Sequence, residues 1–125
     1  MHCVLETYAF DDDCKRLKIS DEIRHEIKLT ISNNPLSGNL ISGTGGARKR
    51  RFARSNSGKR GGLRVVWYYP AEDVPVYLLA LFDKGEKINL SKAERNEFKL
   101  VLSGIADDYR ASTRDRVSEL KRKAS

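Results

Sequence analysis

Eight cations, Arg48, Lys49, Arg50, Arg51, Arg54, Lys59, Arg60 and Arg64, fall within residues 48–64 with no acid among them. Removing these eight from the 24 Lys and Arg of the chain leaves 16 bases against 17 acids, so this segment alone accounts for the net charge of +7. Solubility does not require clustered cations without interspersed carboxylates, and such a cluster repels itself until an anion arrives. The pattern points to a polyanion, with nucleic acid the leading one. In an extended run side chains alternate, so Lys49 and Arg51 share a face with Ala53, while Arg48, Arg50 and Phe52 share the other. A following strand paired across a glycine-rich hairpin would bring Arg64 beside them.

Glycines bracket the cationic run at Gly43-Thr-Gly-Gly46 and Gly58-Lys-Arg-Gly-Gly62. They serve either a hairpin with a pliant tip or a close approach of backbone N–H groups to phosphate, and the two roles are compatible. A Walker loop is excluded, because Gly58-Lys59 is followed by Arg60 rather than Ser or Thr. Of the aromatics after Arg64, Trp67 suits a core position, and Tyr68 shares the face of Arg64 and is the one suited to substrate contact. The two histidines, His2 and His25, lie far in sequence from the cations and are not obvious acid–base catalysts. With Cys3 and Cys14 they match no zinc spacing, so no metal site is expected and both cysteines read as reduced structural thiols. Glu86, between Lys84 and Lys87, is either a base or one half of a surface ion pair.

The elements that must position these groups follow from periodicity. At 125 residues and 14.2 kDa the chain makes one domain with a modest core. No window approaches 18 uncharged apolar residues and no secretory segment follows Met1, so the expected compartment is the cytoplasm, with no membrane partner. Residues 2–8 read as an edge strand. Asp11–Asp13 are read as caps of a short helical turn through Leu17. Ser20 caps a helix with Ile23, Ile27 and Ile31 along one stripe, which Asn33-Asn34-Pro35 ends. Residues 36–46 read as a loop. Arg48–Arg54, Leu63–Tyr69 and Val76–Phe82 read as three consecutive antiparallel strands, the last apolar on both faces and therefore central. Ser91 to Glu94 forms a capping box before Phe98, Val101, Leu102 and Ile105, a closing helix. The expected fold is α+β: a small, mostly antiparallel sheet flanked by helices over residues 1–107, with a basic, weakly helical tail at 108–125.

At Gly43-Thr-Gly-Gly-Ala-Arg-Lys-Arg-Arg51, Gly58-Lys-Arg-Gly-Gly-Leu-Arg-Val-Val-Trp-Tyr-Tyr69 and Leu78-Leu-Ala-Leu-Phe-Asp-Lys-Gly-Glu-Lys87, the sequence resembles the HigB branch of the RelE-like toxins of bacterial toxin–antitoxin systems. The resemblance covers roughly residues 29 to 103. It implies a RelE-like sheet flanked by helices, cleavage of messenger RNA in the ribosomal A site without metal or cofactor, and a cognate HigA-like helix-turn-helix antitoxin. It puts Lys49, Arg51 and Arg64 at the cationic catalytic positions. The family's later Lys-Arg pair falls on Lys84 and Gly85, so Lys84, with Lys87, must supply the charge there, and the late tyrosine of RelE falls near Ser91. Arg48, Arg50, Arg54, Lys59, Arg60, Tyr68 and Lys87 are the expected RNA contacts. Arg is too weak an acid to serve as a base, with a pKa above about 12, so Lys49 is the candidate base and Arg51 and Arg64 the phosphate stabilisers. Two readings without catalysis remain beside this one: an RNA- or ribosome-binding translation inhibitor, and a module whose basic face docks an acidic protein.

Overall fold

The computed structural model describes residues 1–54, 62–86 and 89–124. In chain order the elements are β1 (Val4–Glu6), α1 (Tyr8–Arg16), α2 (Asp21–Asn33), β2 (Asn39–Leu40), β3 (Arg48–Phe52), β4 (Leu63–Tyr68), β5 (Val76–Asp83), α3 (Lys92–Leu102) and α4 (Ile105–Ala124). The strands form one sheet in the order β1-β5-β4-β3-β2, with β1 parallel to β5 and every other pair antiparallel. This is the α+β fold the sequence predicts, and the three consecutive strands pair as expected.

Each face of the sheet carries a core. Phe10, Ile27 and Ile31 from α1 and α2 pack on Leu63, Val65, Trp67, Val76, Leu78 and Leu81. On the opposite face Leu90, Leu102 and the flanking Phe98 and Ile105 cover Val66, Leu79 and Phe82. β5 serves both cores, which is why its sequence lacks a polar alternation. A register shift against β4 between Val66 and Trp67 pairs Val66 with Ala80 but Trp67 with Leu78. The bulge turns Leu79 and Ala80 to the same face, so the apolar run can feed two layers.

Several boundaries differ from the sequence reading, each for a local reason. The cap of α1 is Thr7 rather than the aspartates, because its hydroxyl accepts from the Phe10 N–H at 3.3 Å and donates to the Leu78 carbonyl at 2.7 Å. Asp13, now inside α1, accepts from the Leu81 N–H at 2.9 Å, so α1 satisfies the stretch of β5 that the three-residue β1 leaves open. The loop at 36–46 contains the two-residue strand β2. Gly38 must be glycine: at φ +78° an added Cβ would lie 2.4 Å from the Lys49 carbonyl oxygen and 2.8 Å from the Trp67 ring. The closing helix is two helices, since α3 ends at Leu102 and α4 begins at Ile105. The boundary at 107/108 thus falls inside α4, which Arg110 fastens to Asp73 through two bonds of 2.6 and 2.7 Å. Residues 111–122 of α4 are exposed.

Candidate functional site

The second core ends where the cations begin. Along β3 the side chains on that face run Ala47, Lys49, Arg51, and along β4 they run Tyr68, Val66, Arg64, passing from buried to charged in the same direction. Register puts Arg51 directly opposite Arg64, and Lys49 opposite Val66. Like charges directly opposite on a sheet destabilise it. Among the described residues no carboxylate pairs with Lys49, Arg51 or Arg64 to offset that cost. The Lys49 ammonium instead donates to the neutral Asn89 amide oxygen at 3.0 Å.

Lys84 stands exposed in the turn after β5, and its N–H donates to the Gly62 carbonyl at 3.1 Å, at the same end of the sheet as Arg51 and Arg64. Tyr68 shares their face but packs against the apolar cluster at the far end. Arg48 and Arg50 project from the other face. Arg48 donates to the Leu36 carbonyl at 2.9 Å, and Arg50 lies over the Phe52 ring at 5.3 Å and reaches Ser37 at 3.4 Å. Arg54 is tied down: one guanidinium nitrogen pairs with Asp83, and the other donates at 2.9 Å to the Leu17 carbonyl at the end of α1. The Gly85 N–H, first, and then Arg54 hold the Asp83 carboxyl below its ordinary range. Lys59, Arg60 and Lys87 lie outside the described residues.

Of the other candidates, Glu86 pairs with Arg16 and accepts from the Asp83 N–H at 2.9 Å, so it is the ion-pair partner of the two readings. His2 stacks edge-on against Tyr69 at 5.0 Å, and His25 is exposed on α2. Cys14 is buried, and burial pushes its thiol up to about 11, while Cys3 is exposed. Neither cysteine touches the cationic face.

A cleft of about 280 Å³ opens beside Lys49, between the loop after β2 and the start of α3, with Ser42, Asn89 and Arg95 on its walls. Sequence reasoning missed Asn89 and Arg95. The available signal was the spacing of Lys92, Arg95 and Lys99 at i, i+3, i+7, a basic face of α3 set apart from its apolar stripe. That face lies against the glycine loop, where a Cβ on Gly43 would be 4.0 Å from Arg95 and one on Gly45 would be 3.8 Å from Lys99. The loop is itself built. Buried Thr44 donates to the Ile41 carbonyl at 2.7 Å and accepts from the Ala47 N–H at 3.0 Å, which holds the loop's ends together.

A sheet end with three unneutralised cations, flanked by a cationic cleft, can bind successive phosphates and stabilise added negative charge on one of them. Over residues 3–125 the chain matches the family model described as the RelE toxin of the RelE / RelB toxin–antitoxin system.

Proposed function

The chain belongs to the RelE toxin family, and from that premise we propose that it is a HigB-like toxin that stops translation by cleaving messenger RNA in the ribosomal A site. The observation that carries the reading is Arg51 facing Arg64 across β3 and β4, with Lys49 on the same face and no carboxylate among the described residues to neutralise them. In this mechanism Lys49 acts in its neutral amine form and takes the proton from a ribose 2′-OH. The 2′-oxygen bonds to the adjacent phosphorus, and Arg51 and Arg64 stabilise the pentavalent phosphorane. The bond from phosphorus to the 5′-oxygen breaks, with Lys84 offering positive charge to the departing oxygen, which takes a proton from solvent. The products are a 2′,3′-cyclic phosphate and a 5′-hydroxyl.

No histidine stands at this face to perform acid–base work, so orientation of the message supplies much of the rate, and the ribosome is what orients it. The partner that restrains the toxin is a HigA-like helix-turn-helix antitoxin. The test compares purified protein on naked RNA and on programmed ribosomes, followed by end-group analysis. Cutting on ribosomes that leaves cyclic phosphate and 5′-hydroxyl ends supports the reading. Translation arrest with intact message would replace it by the non-catalytic inhibitor.

A further inference from the structure

In the mechanism above Arg51 and Arg64 take the reacting phosphate, and the cleft next to Lys49 has no task. Among the described residues its lining contains Lys49 and Arg95 but no carboxylate. No carboxylate among the described residues pairs with Arg95, which is half-buried. The chain has not run short of acids: the other flank of α3 lines a groove with Asp13, Glu94 and Glu97 around Ala80, Phe98 and Val101. Gly43, at φ +80°, keeps the loop wall open beside Arg95 where a side chain would stand against it. The cleft therefore keeps two cations in a confined space with room for an anion.

We propose that Arg95 holds the message phosphate next to the reacting one, in the cleft it shares with Lys49, Asn89 and Ser42. This rests on the reading of the chain as a message-binding toxin. Lys49 and Arg51 are two residues apart on β3, about 7 Å along the strand, which is comparable to the step between neighbouring phosphates of an RNA chain. A message whose reacting phosphate lies on Arg51 and Arg64 thus brings its next linkage to the mouth of the cleft. The Asn89 amide oxygen accepts from the Lys49 amino group and holds it beside this subsite. Arg95 is in this sense a positioning residue, because it fixes the nucleotide whose 2′-OH Lys49 must reach.

The experiment measures affinity for ribosomes carrying a message made uncleavable by 2′-O-methylation at the A-site codon, and for ribosomes without message. Arg95→Ala should lose about tenfold affinity for the programmed ribosomes, the effect of one charge-assisted contact, and none for the empty ones. Its log affinity should depend less steeply on log salt, by about one unit of slope. Arg95→Lys should restore most of the loss. On cleavable message Arg95→Ala should raise KM with kcat within about threefold. Unchanged affinity and salt slope would overturn the subsite, and an equal loss on empty ribosomes would reassign Arg95 to a ribosomal contact. Should Arg95→Ala unfold early, Asn89→Asp tests the same cleft by adding a carboxylate, and unchanged affinity for programmed ribosomes would again overturn the proposal. Absence of cutting by the wild type, with Arg95-dependent binding intact, would defeat the cleavage mechanism alone.

Discussion

Two arginine sites in this molecule are built on opposite principles. Arg24, on α2, sits between Glu6 of β1 and Asp11 of α1, donating to the Glu6 carboxylate through Nε at 3.0 Å and to Asp11 at 2.7 Å. Lys28 adds a further contact to Glu6 at 3.2 Å. Hydrogen bonds from Arg24 hold both carboxyls below their ordinary range, and those carboxyls raise the guanidinium in turn. Arg51 and Arg64 face each other with no such partner among the described residues. The first site joins β1, α1 and α2 and spends its charge within the fold. The second keeps its charge for something outside, at a cost the fold must carry elsewhere.

The sharpest way to break that contrast is to neutralise one member of each site and measure stability and toxicity together. Arg64→Ala should lower message cleavage by a hundredfold or more, as removal of a transition-state donor does by roughly 10²–10³. It should leave the melting temperature unchanged or slightly raised, because an opposed like charge disappears. A parallel fall in stability would make Arg64 structural. Arg24→Ala should do the reverse. Two carboxylates lose a common partner whose side chain is only 21% exposed, so a fall of several degrees in Tm is expected. Activity per folded molecule should persist, and an unchanged Tm would show the network to be ornamental.

Acid provides a third and smaller test. A carboxyl whose folded pKa is depressed contributes stability that is fully present above its unfolded value, about 4.3 for Glu and 3.9 for Asp, and is lost as pH falls through the folded value. Glu6 and Asp11 are both of this kind. Unfolding midpoints should therefore fall below about pH 4, and the fall should be reduced in Arg24→Ala, which lacks the largest contribution to both shifts. The smallest effect belongs to the exposed end of α4. Removing residues 111–125 should leave cleavage within about twofold and Tm nearly unchanged, since its cations are interspersed with Asp115 and Glu119. A loss as large as that of Lys49→Ala would move the binding face.

What could be read in the sequence was what short-range patterns determine. The strands β3 to β5 follow from alternation and turns, the Ser91–Glu94 box from its spacing, and the meeting of Arg51 with Arg64 from hairpin pairing. The remainder depends on contacts distant in sequence. β1 pairs with β5 across some 70 residues, so no local signal marks it as parallel. Thr7 outcompetes the aspartates as a cap because a β5 carbonyl is within reach of the same hydroxyl. Arg54 looks like its neighbours until Asp83, 29 residues on, claims it. Arg95 joins Lys49 only because α3 folds back onto the sheet. Local pattern thus placed the cations on their strand, whereas long-range pairing decided which of them the fold consumes.

The short β1, with Thr7 and Asp13 taking over where it stops, bears on how the chain survives its own synthesis. Val76–Asp83 is the most apolar extended segment of the protein, and an uncovered strand of that kind templates aggregation. The Thr7 hydroxyl and the Asp13 carboxylate occupy the Leu78 carbonyl and Leu81 N–H that an incoming strand would need. Both guards come from α1 and its cap, which leave the ribosome well before β5 is made. Asp13→Ala should therefore show itself less in the activity of the purified toxin than in the fraction of the chain recovered soluble, with inclusion bodies increasing as expression temperature rises.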